Sequence, residues 1–257
     1  MEPELALSTP WGWVAAAIIF VAGVTQGVLG FGFPAIATPL LALITDIKGA
    51  IILNLLPNFT VNLIGAVRGG HWSASLGKYW PVAVYMLIGS FLGTQFLIVA
   101  PQEPVRLLLA LSIFAYLYQQ RLTHLDWGWL ARYPRYSAML FGVAGGFFSG
   151  SVNQSLPPLL IYFSLLNVPA LAMTQILNFC FLGGKTVQAA TLAGAGQIHL
   201  SAALANIPLT LVAITGLYVG THLQKRFSAA TYKRLLRYAL FAIALLLLWQ
   251  ASKGWRH

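Results

Sequence analysis

Two long stretches of this chain carry no formal charge. Leu5–Thr45 and Tyr136–Gly184 contain no Asp, Glu, Lys or Arg. A run of about 18 apolar residues or more is long enough to cross the hydrocarbon layer of a bilayer as a helix. The rest of the 257-residue chain agrees, with 58% hydrophobic and 8% charged residues, against about 25% charged in a soluble domain. A soluble globular domain is excluded. Transmembrane β-strands would alternate in short segments, so the expected fold is an all-α polytopic membrane protein.

The two uncharged stretches repeat one another. Gly23–Leu41 (GVTQGVLGFGFPAIATPLL) aligns without a gap on Gly142–Leu160 (GVAGGFFSGSVNQSLPPLL), matching Gly23 with Gly142, Gly27 with Gly146 and Pro39 with Pro158. Asn58-Phe59 aligns on Asn178-Phe179, and Pro81, Gly89, Gly93 and Thr94 align at one offset on Pro208, Gly216, Gly220 and Thr221. Each half reads as five apolar segments: Trp13–Leu29, Pro34–Thr45, Gly49–Val67, Tyr79–Ala100 and Val105–Gln120, then Tyr136–Ser149, Leu156–Leu166, Val168–Ala193, Ala202–Leu223 and Ala229–Gln250. The expected organisation is a first membrane repeat over 1–120, a polar cytoplasmic linker over 121–135 and a second repeat over 136–257. An odd number of segments per half makes these inverted-topology repeats, a design that puts a transport site near the midplane.

The charge of +10, from 15 basic and 5 acidic residues, sits mostly in short loops. That is the positive-inside pattern rather than a nucleic-acid surface. Arg68–Lys78, Arg121–Arg135 and Lys225–Arg237 are expected on the cytoplasmic side of the cell inner membrane. Lys253 and Arg256 then fall on the other side, against the rule. The acidic N-terminus lacks a basic signal-peptide region, so Trp13–Leu29 is read as a mature segment. Cys180 is the sole cysteine, which excludes an intrachain disulfide and a cysteine metal cluster; no metal or cofactor is expected. Trp11, Trp13, Trp72, Trp80, Trp127 and Trp129 flank the segments as interfacial anchors. His71, His199 and His222 are read as interfacial too.

The second segment of each half, at 12 and 11 residues, reaches about 16–18 Å, short of the ~30 Å core. Each follows an uncharged break, Gly30–Phe33 or Gly150–Ser155. Short, Gly/Pro-interrupted segments at matching places are a pointer to a binding site. Two helical hairpins are expected, with short helices aiming N–H groups and positive dipole ends at the tips. The candidate substrate-binding residues are Gln26, Gly27, Gly30 and Gly32 at the first tip, aided by Thr25. At the second tip they are Ser149, Gly150, Ser151, Asn153, Gln154 and Ser155. Gly23, Gly27, Gly142 and Gly146 equally fit small-xxx-small helix packing; Gly89, Gly93, Gly216 and Gly220 are read as packing.

Lys185 is the only charge between Tyr136 and Leu223. An ionisable residue at membrane depth faces the bundle interior and marks function. It would attract an anion or carry a coupling proton; the alternative is a structural lysine bonded to carbonyls. Asn54, Asn58 and Asn62 recur every fourth residue and form one stripe. Gln175, Asn178 and Gln188 lie on the matching segment. Asn58 and Asn178, which align between halves, complete the candidate set.

The duplicated Gly-rich break with its Pro-bearing short helix, in Gly23–Leu41 and Gly142–Leu160, resembles the TauE/SafE family of sulfite exporters. The resemblance covers nearly the whole chain, departing at the polar Gly150–Gln154. It implies a secondary transporter of small sulfur-containing anions: sulfite, sulfoacetate or another organosulfonate. Alternating access between the two tips is the expected mechanism. No nucleotide-binding motif occurs, so a proton or ion gradient is the expected drive. An anion channel and an intramembrane serine hydrolase, with Ser149 as nucleophile and His222 as base, are the rival readings. The bilayer is the expected surrounding, no nucleic acid is expected, and a homo-oligomer stays open.

Overall fold

Thr9 starts the described chain as a helix cap: its Oγ accepts from the Gly12 N–H at 3.1 Å, and Pro10 follows in the first turn, where its missing N–H costs nothing. The structure, a computed structural model, describes residues 9–68, 72–123, 125, 127–198, 204–224 and 229–254. The N-terminal acidic residues, His71, His199, Lys225, Arg226 and Arg256 lie outside them.

Eleven helices occur among the described residues: α1 Pro10–Leu29, α2 Phe33–Ile44, α3 Ile47–Arg68, α4 Trp72–Val99, α5 Gln102–Leu122, α6 Gly128–Arg132, α7 Pro134–Val152, α8 Leu156–Leu165, α9 Ala170–Gly194, α10 Ile207–Leu223 and α11 Ala229–Gly254. Pro10–Leu29, Ile47–Arg68 and Gly77–Val99 are long and apolar enough to cross a membrane. On α4 the exposed Trp80, Val84, Leu87, Ile88, Phe91 and Leu92 follow the helical period and form one outward apolar face. Trp11 and Trp13 are exposed as well.

The halves interlock rather than sit side by side. Helix α1 packs chiefly on α10, and α7 on α4. Both pairs run parallel over glycine contacts. Gly23 and Gly27 meet Gly216 and Gly220; Gly142, Gly146 and Gly150 meet, in order, Val82 and Tyr85, Met86 and Gly89, and Ser90 and Thr94. A methyl at Gly27 would lie 2.7 Å from the Gly220 Cα, and one at Gly146 would lie 2.9 Å from the Gly89 Cα. Backbones can approach this closely only without side chains. The pattern holds under exchange of the halves: α4 and α10 pack on α9 and α3, α5 and α11 pack on α8 and α2, and α3 packs on α9.

Several boundaries differ from expectation. Helix α4 begins at Trp72 rather than Tyr79, so Lys78 lies on a helix rather than in a loop. Hydropathy marks the apolar part of a helix, and a helix can continue past it. The second break is only Asn153–Ser155, because Gly150–Val152 stay helical against α4. Of the segment expected over Ala202–Leu223, Ala202 and Ala203 lie outside the described residues, and α10 spans Ile207–Leu223 with Pro208 in its first turn. The linker contains α6, and Trp127 is no free anchor: its Nε1 donates to the Leu122 carbonyl at 2.7 Å, and its ring packs on Trp129 and Phe141.

Candidate functional site

Both breaks are left-handed turns. Helix α1 closes on Gly30 at φ 80°, and Gly32, at φ 108°, precedes α2. Helix α7 closes on Asn153 at φ 58°. Gly tolerates this region without strain, and Asn more readily than most side chains do. The second break therefore keeps its turn while placing an amide where the first has none.

The first break is held by amides. Gln26 Oε1 accepts from the Phe33 N–H at 3.0 Å, spanning the break from α1 to α2. Gln26 Nε2 donates to Asn178 Oδ1 at 2.7 Å and lies 3.4 Å from both Asn62 Oδ1 and the Gly30 carbonyl. Asn178 Nδ2 donates to the Gly30 carbonyl at 2.8 Å and the Thr174 carbonyl at 2.7 Å.

The second break is held by Lys185. Its Nζ donates to Asn153 Oδ1, to Gln188 Oε1 at 2.6 Å and to the Ser149 carbonyl at 3.4 Å. Gln188 Nε2 donates to the Gly150 carbonyl at 2.8 Å. Lys185 is 2% exposed, and these three acceptors are neutral. Burying a cation without a paired anion costs several kcal/mol, so the ammonium invites an anion. Lys185 also ends a cavity of about 260 Å³ whose other walls include Ile52, Leu55, Leu56 and Phe59.

The two breaks touch. Gln154 Nε2 donates to the Pro34 carbonyl at 3.0 Å, and Asn153 Nδ2 to Thr38 Oγ at 3.2 Å. Asn54 Nδ2 reaches the same Thr38 Oγ at 2.7 Å. The asparagine stripe of α3 thus runs from the second break, at Asn54, to the first, at Asn62. Between them Asn58 Oδ1 accepts from Asn62 Nδ2 at 2.6 Å, while Asn58 Nδ2 is buried without a hydrogen-bond partner. It is a free donor between the two networks.

Gln26, Gly30, Asn58, Ser149, Gly150, Asn153, Gln154, Asn178 and Lys185 therefore gather into one continuous polar seam. Gly27 does not: it faces α10. Gly32 shapes the turn, and Thr25 and Ser151 donate back to their own helices at Val21 and Phe147. Ser155 is buried and precedes α8 without a capping bond from its side chain. The tips offer fewer free helix N–H groups than expected. Gln26 occupies the Phe33 N–H, the Gly32 carbonyl takes that of Ala35, and Pro34, Pro157 and Pro158 have none. The donors are side chains instead. Thr38, Asn54, Asn62 and Gln188 are seam residues that sequence reasoning left out of the candidate set. Thr38 is a lone hydroxyl in an apolar helix and gave no signal; Asn62 was visible in the stripe. His222 is exposed on α10, its Nδ1 2.8 Å from the Tyr218 carbonyl, whereas Ser149 is buried at the second break. Among the described residues no group of three or more His, Cys, Asp or Glu is placed to hold a metal ion.

A helical bundle with apolar outer faces and a buried polar seam at two broken helices defines a multi-pass membrane transport protein. Residues 15–247 match the sulfite exporter TauE/SafE family, and the chain belongs to that family. No curated protein and no solved structure matches the chain.

Proposed function

We propose that the protein is a secondary transporter of small sulfur-containing anions across the cell inner membrane, working by alternating access and coupled to a proton or ion gradient. The observation that carries this reading is Lys185, a buried ammonium with only neutral oxygen partners where the two broken helices meet. Asn58 Nδ2 supplies a second donor. The apolar walls of the cavity beside Lys185 favour an organosulfonate, whose organic part needs such a surface.

Alternating access draws support from a second cavity. It measures about 380 Å³, is lined by Phe31, Gln119, Thr123, Ser164 and Thr174 among others, and adjoins the first break at the linker side. Thr174 and Lys185 line different cavities on one helix, about 16 Å apart along its axis. The exchange of packing partners between halves supports two inverted repeats, 1–120 and 136–257, joined by the linker 121–135. In this reading the linker faces the cytoplasm. The substrate sits between the breaks, and Lys185 supplies positive potential to it.

Uptake of radiolabelled sulfite and sulfoacetate into proteoliposomes, with and without an imposed pH gradient, tests this. Saturable accumulation that collapses with the gradient is the expected result. Transport of neither anion by folded protein overturns the substrate assignment.

A further inference from the structure

A cavity of about 280 Å³ opens between α4, the linker helix α6, the start of α7 and the end of α8, apart from the polar seam. Lys78 and Arg135 line it and are exposed; Val82, Leu130, Ala138 and Leu166 are among its apolar walls. Neither cation has a carboxylate near it. Among the described residues the carboxylates are Asp46 and Glu103, and both lie at the far end of the bundle, where α2 turns into α3 and α5 begins. Lys78 Nζ has instead the Tyr79 ring, 5.5 Å from its centroid.

The walls are ordered by depth. Helices α4 and α7 run parallel, with Gly142 packed on Val82 and Tyr85 and Gly146 on Met86 and Gly89. Carried back about two turns, that register brings Arg135 level with Lys78. Val82 and Ala138 follow one turn further along their helices, and Tyr85 follows two turns along α4. Beside the two cations, Trp80 is 58% exposed and Tyr136 is 67% exposed. Exposed aromatic residues of a membrane protein settle at headgroup level. Lys78 and Arg135 therefore stand among the headgroups, and the apolar walls reach toward the acyl chains.

We propose that this cavity binds one anionic phospholipid, its phosphate held by Lys78 and Arg135 and an acyl chain lying along Val82, Ala138 and Leu166. A guanidinium and an ammonium at one level suit a phosphate, which accepts from both. Basic pockets between membrane helices are suited to such headgroups. A zwitterionic lipid brings its own ammonium, which the two cations repel. A free phosphate leaves the apolar walls unused. The bound lipid joins α4 to the linker helix and to the end of α8, the short helix that begins at the second break, so it stabilises the fold there. The site stands whether or not the chain carries an anion.

The test titrates the full-length protein in detergent with phosphatidylglycerol, phosphatidylethanolamine or inorganic phosphate. Bound lipid is counted by native mass spectrometry, and the melting temperature is followed alongside. Phosphatidylglycerol binds and raises the melting temperature; at equal concentration the other two do not. Lys78→Gln and Arg135→Gln each weaken the tightest phosphatidylglycerol by about fivefold, and together by more than about tenfold. Ala138→Leu narrows the apolar wall at unchanged charge and weakens it as well. Arg121 and Arg132 are exposed cations toward the linker that do not line the cavity. Their joint replacement by Gln leaves the affinity within about twofold. Equal weakening by the two pairs would reduce the effect to diffuse surface charge and overturn the site. So would affinity that ignores Lys78 and Arg135, equal stabilisation by inorganic phosphate, or a second copy of the chain in place of lipid.

Discussion

Asn58 is the residue whose chemistry separates stability from function. Its Nδ2 is buried and unpaired, and an unsatisfied buried donor costs about 1–3 kcal/mol. Asn62 Nδ2, its side-chain partner, keeps a second bond to the Asn58 carbonyl at 2.8 Å. Asn58→Leu therefore leaves the melting temperature unchanged or raised, while the KM for the anion rises several-fold. A fall in melting temperature with unchanged KM would make Asn58 structural. Lys185→Met removes the buried cation and lowers kcat/KM at least about tenfold, read by initial uptake rates. Lys185 was legible in the sequence because it is a lone charge in a long apolar stretch. Its partners were legible only in part. Asn153, Ser149 and Gln188 were visible as polar residues, but their convergence depends on how α7 and α9 cross, which local sequence does not encode. Thr38 had no signal at all, since one hydroxyl among apolar residues commonly bonds back to its own helix.

Among the elements, the glycine-bearing pairs α1/α10 and α4/α7 set the positions of both breaks. The sequence left Gly23, Gly27, Gly142 and Gly146 open between packing and ligand contact, because both uses need a missing side chain. Tertiary contact decides for packing: Gly89, Gly216 and Gly220 sit opposite Gly146, Gly23 and Gly27, and Gly142 packs on Val82 and Tyr85. Gly146→Ala pushes a methyl against the Gly89 Cα at 2.9 Å. Overpacking of this kind costs about 1–3 kcal/mol, so the melting temperature falls. Gly77→Ala, with nothing within 4 Å of the added methyl, serves as the control and does not lower it. Equal effects of the two substitutions would remove the packing account. The two short helices, Phe33–Ile44 and Leu156–Leu165, were foreseen from the lengths of their apolar segments. The second break proved narrower than Gly150–Ser155 because glycine in a tightly packed helix stays helical, although in the sequence it looks like a breaker.

For the whole molecule, transport by alternating access requires the two breaks to part and rejoin. The contacts to break are Gln154 with the Pro34 carbonyl and Asn153 with Thr38. With Cys180 replaced by Ser, a thiol cross-link between cysteines at positions 34 and 154 arrests transport, and reduction restores it. Transport continuing at the full rate when cross-linked would mean that the breaks do not move apart. The overall class was legible from the charge-free stretches alone, and the aligned glycines and prolines are what suggested two repeats. The way the halves interlock was not, because the same repeats suit side-by-side bundles equally well. Counterflow tests the central claim most directly: liposomes containing the protein are preloaded with unlabelled sulfoacetate or sulfite, and entry of labelled anion is followed for wild type and Lys185→Met. The account predicts saturable entry accelerated by the internal anion in wild type and lost in the variant. Entry that neither saturates nor responds to internal anion, or that Lys185→Met leaves intact, would contradict it.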